Sequence, residues 1–400
     1  MILVAANVYF ADQQGGSSRL AYDLAHAFAN EGHEVWYLCQ DITQSHRDCE
    51  TDGQITVLRY RLHGETRYRA LFRHLQHETV GSTVLRKYMP RPDIVLGHNP
   101  LQYITARRVW NEDGLWCYCS HSPAVEEMRI VWQNQGILGR FKHTFGIAAI
   151  QRMEAEILQF SDALVVESDY TRKLLKARYG GANTDRIEVI PGWVDLTRFQ
   201  VPKESTAEAR QQLGWPIDRP VLFSLRRLEP RMGLDSLLHA YKLLVDAGHR
   251  FHTVIGGTGS QQSALLALRD RLGLEASVTF MGKVPDSLLP LAYYACDASV
   301  VPSAQLECFG LIALESIACG TPTLVTPIGA LPSVVSQFHK EWIAPSANPE
   351  GIATLLQRFL DGALPPMDNK LTEDRMAYYS LPRALSQYRK CLKLPDTPVL

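Results

Sequence analysis

Residues 300–335, VVPSAQLECFGLIALESIACGTPTLVTPIGALPSVV, constrain this chain more than any other segment. An apolar run ends at Pro302, a short polar loop follows, and from Phe309 to Cys319 nearly every residue is apolar until Gly320 and Pro322 stop the pattern. This reads as a strand feeding a helix buried on most faces, the unit of layered α/β folds. Two carboxylates interrupt it: Glu307 just ahead of the helix and Glu315 within it. An ionised carboxylate taken out of water without a partner costs far more than helix propensity returns. Glu315 therefore calls for an Arg, a Lys or the hydroxyls of a ligand. Glu307 falls where a strand end meets unpaired N–H groups at a helix start, the place at which α/β sheets bind ligands.

Four hundred residues exceed one ordinary core and suit two domains. A formal net charge of -1 argues against general nucleic-acid binding, which needs a basic surface. The opening MILVAANVYF lacks the basic start and long apolar core of a signal peptide and reads as a first strand. No run of about 18 apolar residues suggests a spanning helix. The eight cysteines form no C-x-x-C pair, which fits reduced thiols and a cytoplasmic setting. No D-x-D at a strand end, H-E-x-x-H or clustered Cys and His is present, so no metal site is expected.

In the first half, a strand over 1–6 leads through Gly15-Gly16 into a helix from about Arg19 to Asn30, and EVWYLC supplies the next strand. A glycine turn between strand and helix lets backbone approach a ligand, although G-x-G-x-x-G is absent. Further strands are expected over 55–60, 93–97, 115–119 and 162–167, which puts His98 and His121 in loops at strand ends. His98 reads as structural. Residues 59–91 are basic and amphipathic, either a solvated face, a contact with an anionic membrane surface or part of an acceptor site. Glu50-Thr51-Asp52 reads as a solvated loop.

The polar stretch from Gln200 to Asp218, with Pro202 and Pro216, marks the domain boundary. Beyond it the strand PVLFSLR ends on Arg226, Arg227 and, four residues later, Arg231. Fixed, forked donors at a strand end are what a diphosphate requires. FHTVIGGTGS repeats the pattern with Gly256, Gly257 and Gly259, and KEWIAP reads as a last strand.

The E-x7-E spacing with FGLIALESIACGTP resembles the signature of the family 4 retaining glycosyltransferases, and the opening GG with LAHAFANEGHEV, the segment SHSPAVEE and IEVIPGWVDLTRF are similar to that family's corresponding segments. The resemblance implies a GT-B architecture: two Rossmann-like α/β domains facing across a cleft, here 1–200 on the acceptor side and 201–372 binding a nucleotide sugar, with 373–400 crossing back as a helix. It implies transfer of a hexose-type sugar from a UDP- or GDP-linked donor to a sugar, lipid-linked or small-molecule acceptor, with retention and without metal or other cofactor. Catalytic roles fall to Glu307, His121 and Arg227. Donor contacts fall to Gly15, Gly16, Arg226, Arg227, Arg231, Gly257, Cys308, Phe309, Gly310, Leu311 and Glu315.

Several positions depart from the family's pattern. Met232 stands where a Lys is usual, Trp193 where a small residue is usual, Ala330 where a second Gly is frequent, and Ser333 where Glu is. Trp193 would narrow the cleft or offer a sugar a stacking face. The competing readings are a catalytically idle nucleotide-sugar-binding subunit, which Met232 allows, and an epimerase of the same fold. A two-carboxylate hydrolase fits less well, since Glu315 lies inside a buried helix and does not face Glu307 across a groove.

Overall fold

A computed structural model of the chain describes residues 1–13, 15–42, 47–62, 73–111, 114–133 and 146–395. It divides into two compact units, residues 1–192 with 381–400 and residues 193–380.

The first unit is built on an eight-stranded sheet: β1 (Ile2–Ala5), β2 (Val35–Gln40), β3 (Cys49–Asp52), β4 (Ile55–Tyr60), β5 (Ile94–Gly97), β6 (Leu115–Ser120), β7 (Ala163–Val166) and β8 (Ile187–Val189), in the order β3-β4-β2-β1-β5-β6-β7-β8. All neighbours run parallel except β3 and β4. β1, β5 and β6 are almost fully buried, as expected of parallel strands covered by helices on both faces. The helix Gly16–Asn30 follows β1, and the helix Asp169–Tyr179 starts on Ser168, whose hydroxyl accepts from the Thr171 N–H.

Two expectations for this unit need correction. Glu50 and Asp52 lie on β3, where Glu50 pairs with Arg59 at 2.9 Å and Asp52 accepts from the Tyr9 hydroxyl at 2.7 Å. Arg59 is buried on β4 and so contributes nothing to a basic surface. In the 59–91 run, the helix Arg73–Tyr88 carries Arg86 and Lys87 in its last turn, and residues 63–72 lie outside the described residues.

The second unit holds β9 (Val221–Leu225), β10 (His252–Gly256), β11 (Val278–Gly282), β12 (Ala298–Val301) and β13 (Thr323–Val325), parallel throughout in the order β11-β10-β9-β12-β13. The polar stretch after residue 200 contains the helix Thr206–Leu213, opened by a reciprocal Ser205–Glu208 capping box. Its Arg210 donates to the Ala295 carbonyl and to Asp297, which ties that helix into the second unit; the units divide earlier, between Gly192 and Trp193. KEWIAP is not a strand: it makes a 3-10 turn over Lys340–Trp342 and one isolated bridge between Ile343 and Val325. The carboxyl-terminal helical segment is broken into Asn369–Met376 and Leu381–Cys391, the latter in the first unit. There the Tyr388 hydroxyl lies 3.3 Å from the Cys119 thiol, and Arg389 pairs with Glu31. No helix among the described residues is long and apolar enough to cross a membrane.

Candidate donor and sugar sites

In an open parallel sheet the ligand crevice lies beyond the carboxyl ends of the two strands at which the strand order reverses. For the second sheet these are β9 and β12. Arg226 is the first residue after β9, and Ser303 and Glu307 lie in the loop after β12.

The Arg226 Nη2 group donates to the Glu307 Oε2 at 2.6 Å and to the Ser303 Oγ at 2.7 Å, while the Ser303 hydroxyl donates to the same Glu307 oxygen at 2.7 Å. The Met232 sulfur sits 2.8 Å from that nitrogen. Burial alone would raise the Glu307 carboxyl pKa, but Arg226, the Ser303 hydroxyl and Arg231 outweigh it and hold the group below the usual glutamate range. Arg226 is only 8 % exposed, and its Nε is buried without a hydrogen-bond partner among the described residues. Arg227, beside it, is exposed.

Arg231 also supports the loop after β12. Its Nη1 donates to the Leu306 carbonyl at 2.9 Å, and Leu306 has φ +42, a costly conformation for a branched side chain. The cation thus braces the loop that aims Glu307. Two glycines press on the same loops. A Cβ on Gly257, at φ +125, would fall 1.9 Å from the Arg226 carbonyl oxygen, and one on Gly329, at φ +63, would fall 2.0 Å from the Glu307 carbonyl oxygen. Cys308 and Phe309 are buried, and Gly310 caps the helix Leu311–Ala318.

The buried Tyr293 hydroxyl donates to the Glu315 Oε2 at 3.0 Å. Trp193 is 4 % exposed, so its indole offers no open stacking face. The Ser333 hydroxyl bonds the Ala330 carbonyl at 2.7 Å. Among the described residues no group of His, Cys, Asp or Glu could hold a metal ion.

The first sheet reverses its order between β1 and β5. Gly15 precedes the helix Gly16–Asn30 in extended backbone, and its carbonyl accepts from the Ser18 hydroxyl at 2.9 Å. The loop is anchored by Asp12, which takes a forked pair of bonds from the buried Arg59 at 2.7 and 3.0 Å. His121, just past β6, has both ring nitrogens engaged: Nδ1 with Glu167 and Nε2 with His98 Nδ1 at 2.9 Å. His98 is therefore part of the same assembly, not an isolated structural residue.

Sequence reasoning missed Ser303, Tyr293, Asp12, Arg59 and Glu167, and gave His98 no part in the site. Ser303 and Glu167 could have been found as polar residues at strand ends. Asp12–Arg59 is a pairing over 47 residues that no local pattern announces.

Two parallel α/β units of this kind define the GT-B class of glycosyltransferase fold. A sucrose-phosphate synthase from Thermosynechococcus elongatus superposes with a TM-score of 0.82 at 21% identity over 98% of each chain, and HepE of Anabaena in complex with UDP and glucose with 0.70 at 15% over 98% of this chain and 99% of that one. The model described as Glycosyltransferase Family 4 matches residues 14–198, and that described as Glycosyl transferases group 1 matches residues 205–376. The chain belongs to the family 4, group 1 glycosyltransferases. A D-inositol 3-phosphate glycosyltransferase from Thermomonospora curvata is 33% identical over 221 residues, 52% of this chain and 51% of the relative; another from Acidothermus cellulolyticus is 34% identical over 220 residues, 53% and 48%. The matched region spans about half the length of these curated relatives.

Proposed function

We infer that the chain transfers a hexose-type sugar from a UDP- or GDP-linked donor to an acceptor hydroxyl with retention of configuration. The observation that carries this is the cluster of Arg226, Ser303 and Glu307 at the switch point of the second sheet, beside exposed Arg227 and the amide end of the helix Leu311–Ala318. Leaving-group charge falls to Arg226, Arg227 and the amides near Gly310 and Leu311, where fixed donors stabilise a departing diphosphate. Glu307 accepts sugar hydroxyls and Glu315 those of the ribose. In the transfer the bond from the anomeric carbon to the phosphate oxygen breaks, the bond to the acceptor oxygen forms on the same face, and the acceptor proton passes to the departing phosphate. No step calls for a metal ion.

The names of the inositol phosphate glycosyltransferases make D-inositol 3-phosphate the first acceptor to try. The test is a panel of UDP- and GDP-sugars scored by thermal shift and nucleoside diphosphate release. A donor at 100 times its Kd should stabilise the protein by about 2.7 kcal/mol. Arg227→Ala, at an exposed position, should weaken nucleoside diphosphate affinity roughly 10-fold or more, the value of a charge-assisted hydrogen bond. If no nucleotide sugar binds, the transferase reading falls. Binding without release, with every acceptor tried, would favour the idle subunit.

A further inference from the structure

His98 is the first residue after β5, and its N–H donates to the carbonyl of Ala5, the last residue of β1, at 2.8 Å. It therefore stands at the switch point of the first sheet, where this class of sheet receives ligands. Its ring lies within hydrogen-bond reach of His121, with centroids 5.1 Å apart and planes inclined at 21°. Glu167, at the end of β7, completes the series.

The chemistry of the end group orders the protons along the series. A carboxylate can only accept, so His121 Nδ1 carries the proton that bonds Glu167. In a neutral imidazole the other nitrogen is then a lone pair, so His121 Nε2 accepts from His98 Nδ1–H. That leaves His98 Nε2 as a lone pair, and this atom is buried with no hydrogen-bond partner among the described residues, as are the hydroxyls of Ser120 and Ser122 on either side of His121. Burial, and then the neighbouring His121, hold His98 well below the ordinary histidine pKa, in keeping with a neutral ring. An acceptor left unmade in the interior is destabilising, so its retention at a ligand-binding edge asks for a donor.

We propose that Glu167, His121 and His98 form one hydrogen-bonded relay that fixes the tautomer of His98 and turns its Nε2 into the acceptor for a single hydroxyl of a carbohydrate substrate. His98 is then a binding residue; His121 and Glu167 act through it as positioning residues. Because Nε2 is buried, it takes a narrow group, a hydroxyl or hydroxymethyl arm, in preference to a ring face. The hydroxyl belongs either to the transferred sugar or to the acceptor. The proposal rests on the sugar-transfer reading, and its test separates the two.

The measurement is 15N NMR of histidine-labelled full-length protein, free and with UDP-glucose, GDP-mannose, UDP, GDP or D-inositol 3-phosphate, binding of each being established separately by thermal shift. Near neutral pH, His98 and His121 should both show a protonated Nδ1 and a lone-pair Nε2. Glu167→Met, which keeps the bulk but removes the acceptor, should abolish this uniform pattern, and Glu167→Gln should restore it in part. A sugar or polyol ligand that binds should move the His98 Nε2 resonance while UDP and GDP do not; movement by the nucleotide sugars assigns the hydroxyl to the donor, and movement by D-inositol 3-phosphate assigns it to the acceptor. His98→Phe should weaken the ligand that moves the signal roughly 3- to 10-fold, the worth of one neutral hydrogen bond. A protonated Nε2 in the free protein overturns the proposal. So does binding of the sugars and the polyol with no movement of that resonance, which would mean that an ordered water only fills the position. If none of the nucleotide sugars binds, it is the transferase reading that fails.

Discussion

At the residue scale, the Glu307 carboxylate is held in the fold by Arg226 and Ser303, which bond the same oxygen that the proposed sugar contact would use. Its side chain is 14 % exposed and that of Arg226 7 %, so removing one leaves the other's charge buried, which typically costs roughly 3–5 kcal/mol. A stability loss in Glu307→Ala is therefore expected beside any loss of transfer, a cost that the sequence gives no reason to anticipate. The sign of the pH dependence follows from the lowered pKa. The group stabilises the fold above its ordinary value of 4.5, and that contribution disappears as the pH falls through the lower folded value. Urea unfolding of wild type and Glu307→Gln should differ most near pH 7, with the gap narrowing below about pH 4. A gap independent of pH would show that the carboxylate's charge contributes nothing.

At the scale of the element, the carboxyl ends of β9, β10 and β11 are locked together by backbone. The Arg226 N–H donates to the Gly256 carbonyl at 3.0 Å, and the Gly257 N–H to the Gly282 carbonyl at 2.7 Å. Gly257→Ala should destabilise by several kcal/mol, because the added methyl group meets the Arg226 carbonyl that fixes the direction of that side chain. Gly214→Ala is the control: φ is +68 there but no atom lies within 4 Å of the added carbon, so only about 1–2 kcal/mol is at stake. Equal costs in denaturant titrations would refute the crowding argument. Strand and helix patterns made most of these elements legible in the sequence, since buried parallel strands such as Val221–Leu225 and Ala298–Val301 are short apolar runs bounded by turn residues. Less legible was whatever depends on partners distant in the chain. β3 reads as polar because its stabilisation comes from Arg59 and Tyr9, and the Tyr293 hydroxyl that bonds Glu315 stands 22 residues away, beyond the reach of local pattern. The substitution of Met for Lys at 232 reads as a lost charge. In the fold the Met232 sulfur packs against the Arg226 guanidinium.

At the scale of the whole molecule, the second unit is one continuous segment and the first is not, because the helix Leu381–Cys391 belongs with residues 1–192. Tyr388 is 3 % exposed, and its hydroxyl reaches Cys119. Tyr388→Ala should lower the stability of the first unit by roughly 3–5 kcal/mol, the ordinary penalty for truncating a buried aromatic side chain. Chemical denaturation followed by tryptophan fluorescence would register it, and a loss below about 1 kcal/mol would mean that the helix is only loosely attached.

The same arrangement sets an order on biosynthesis. The strands of the first unit leave the ribosome first, yet the helix that covers Cys119 follows only after all of 193–380 has been made, on the order of 10–40 s later at ordinary elongation rates. During that interval the second unit can fold without help from either end of the chain. The older part must wait with an apolar seam uncovered and a thiol within reach of solvent, a nascent state for chaperones and reducing agents to protect.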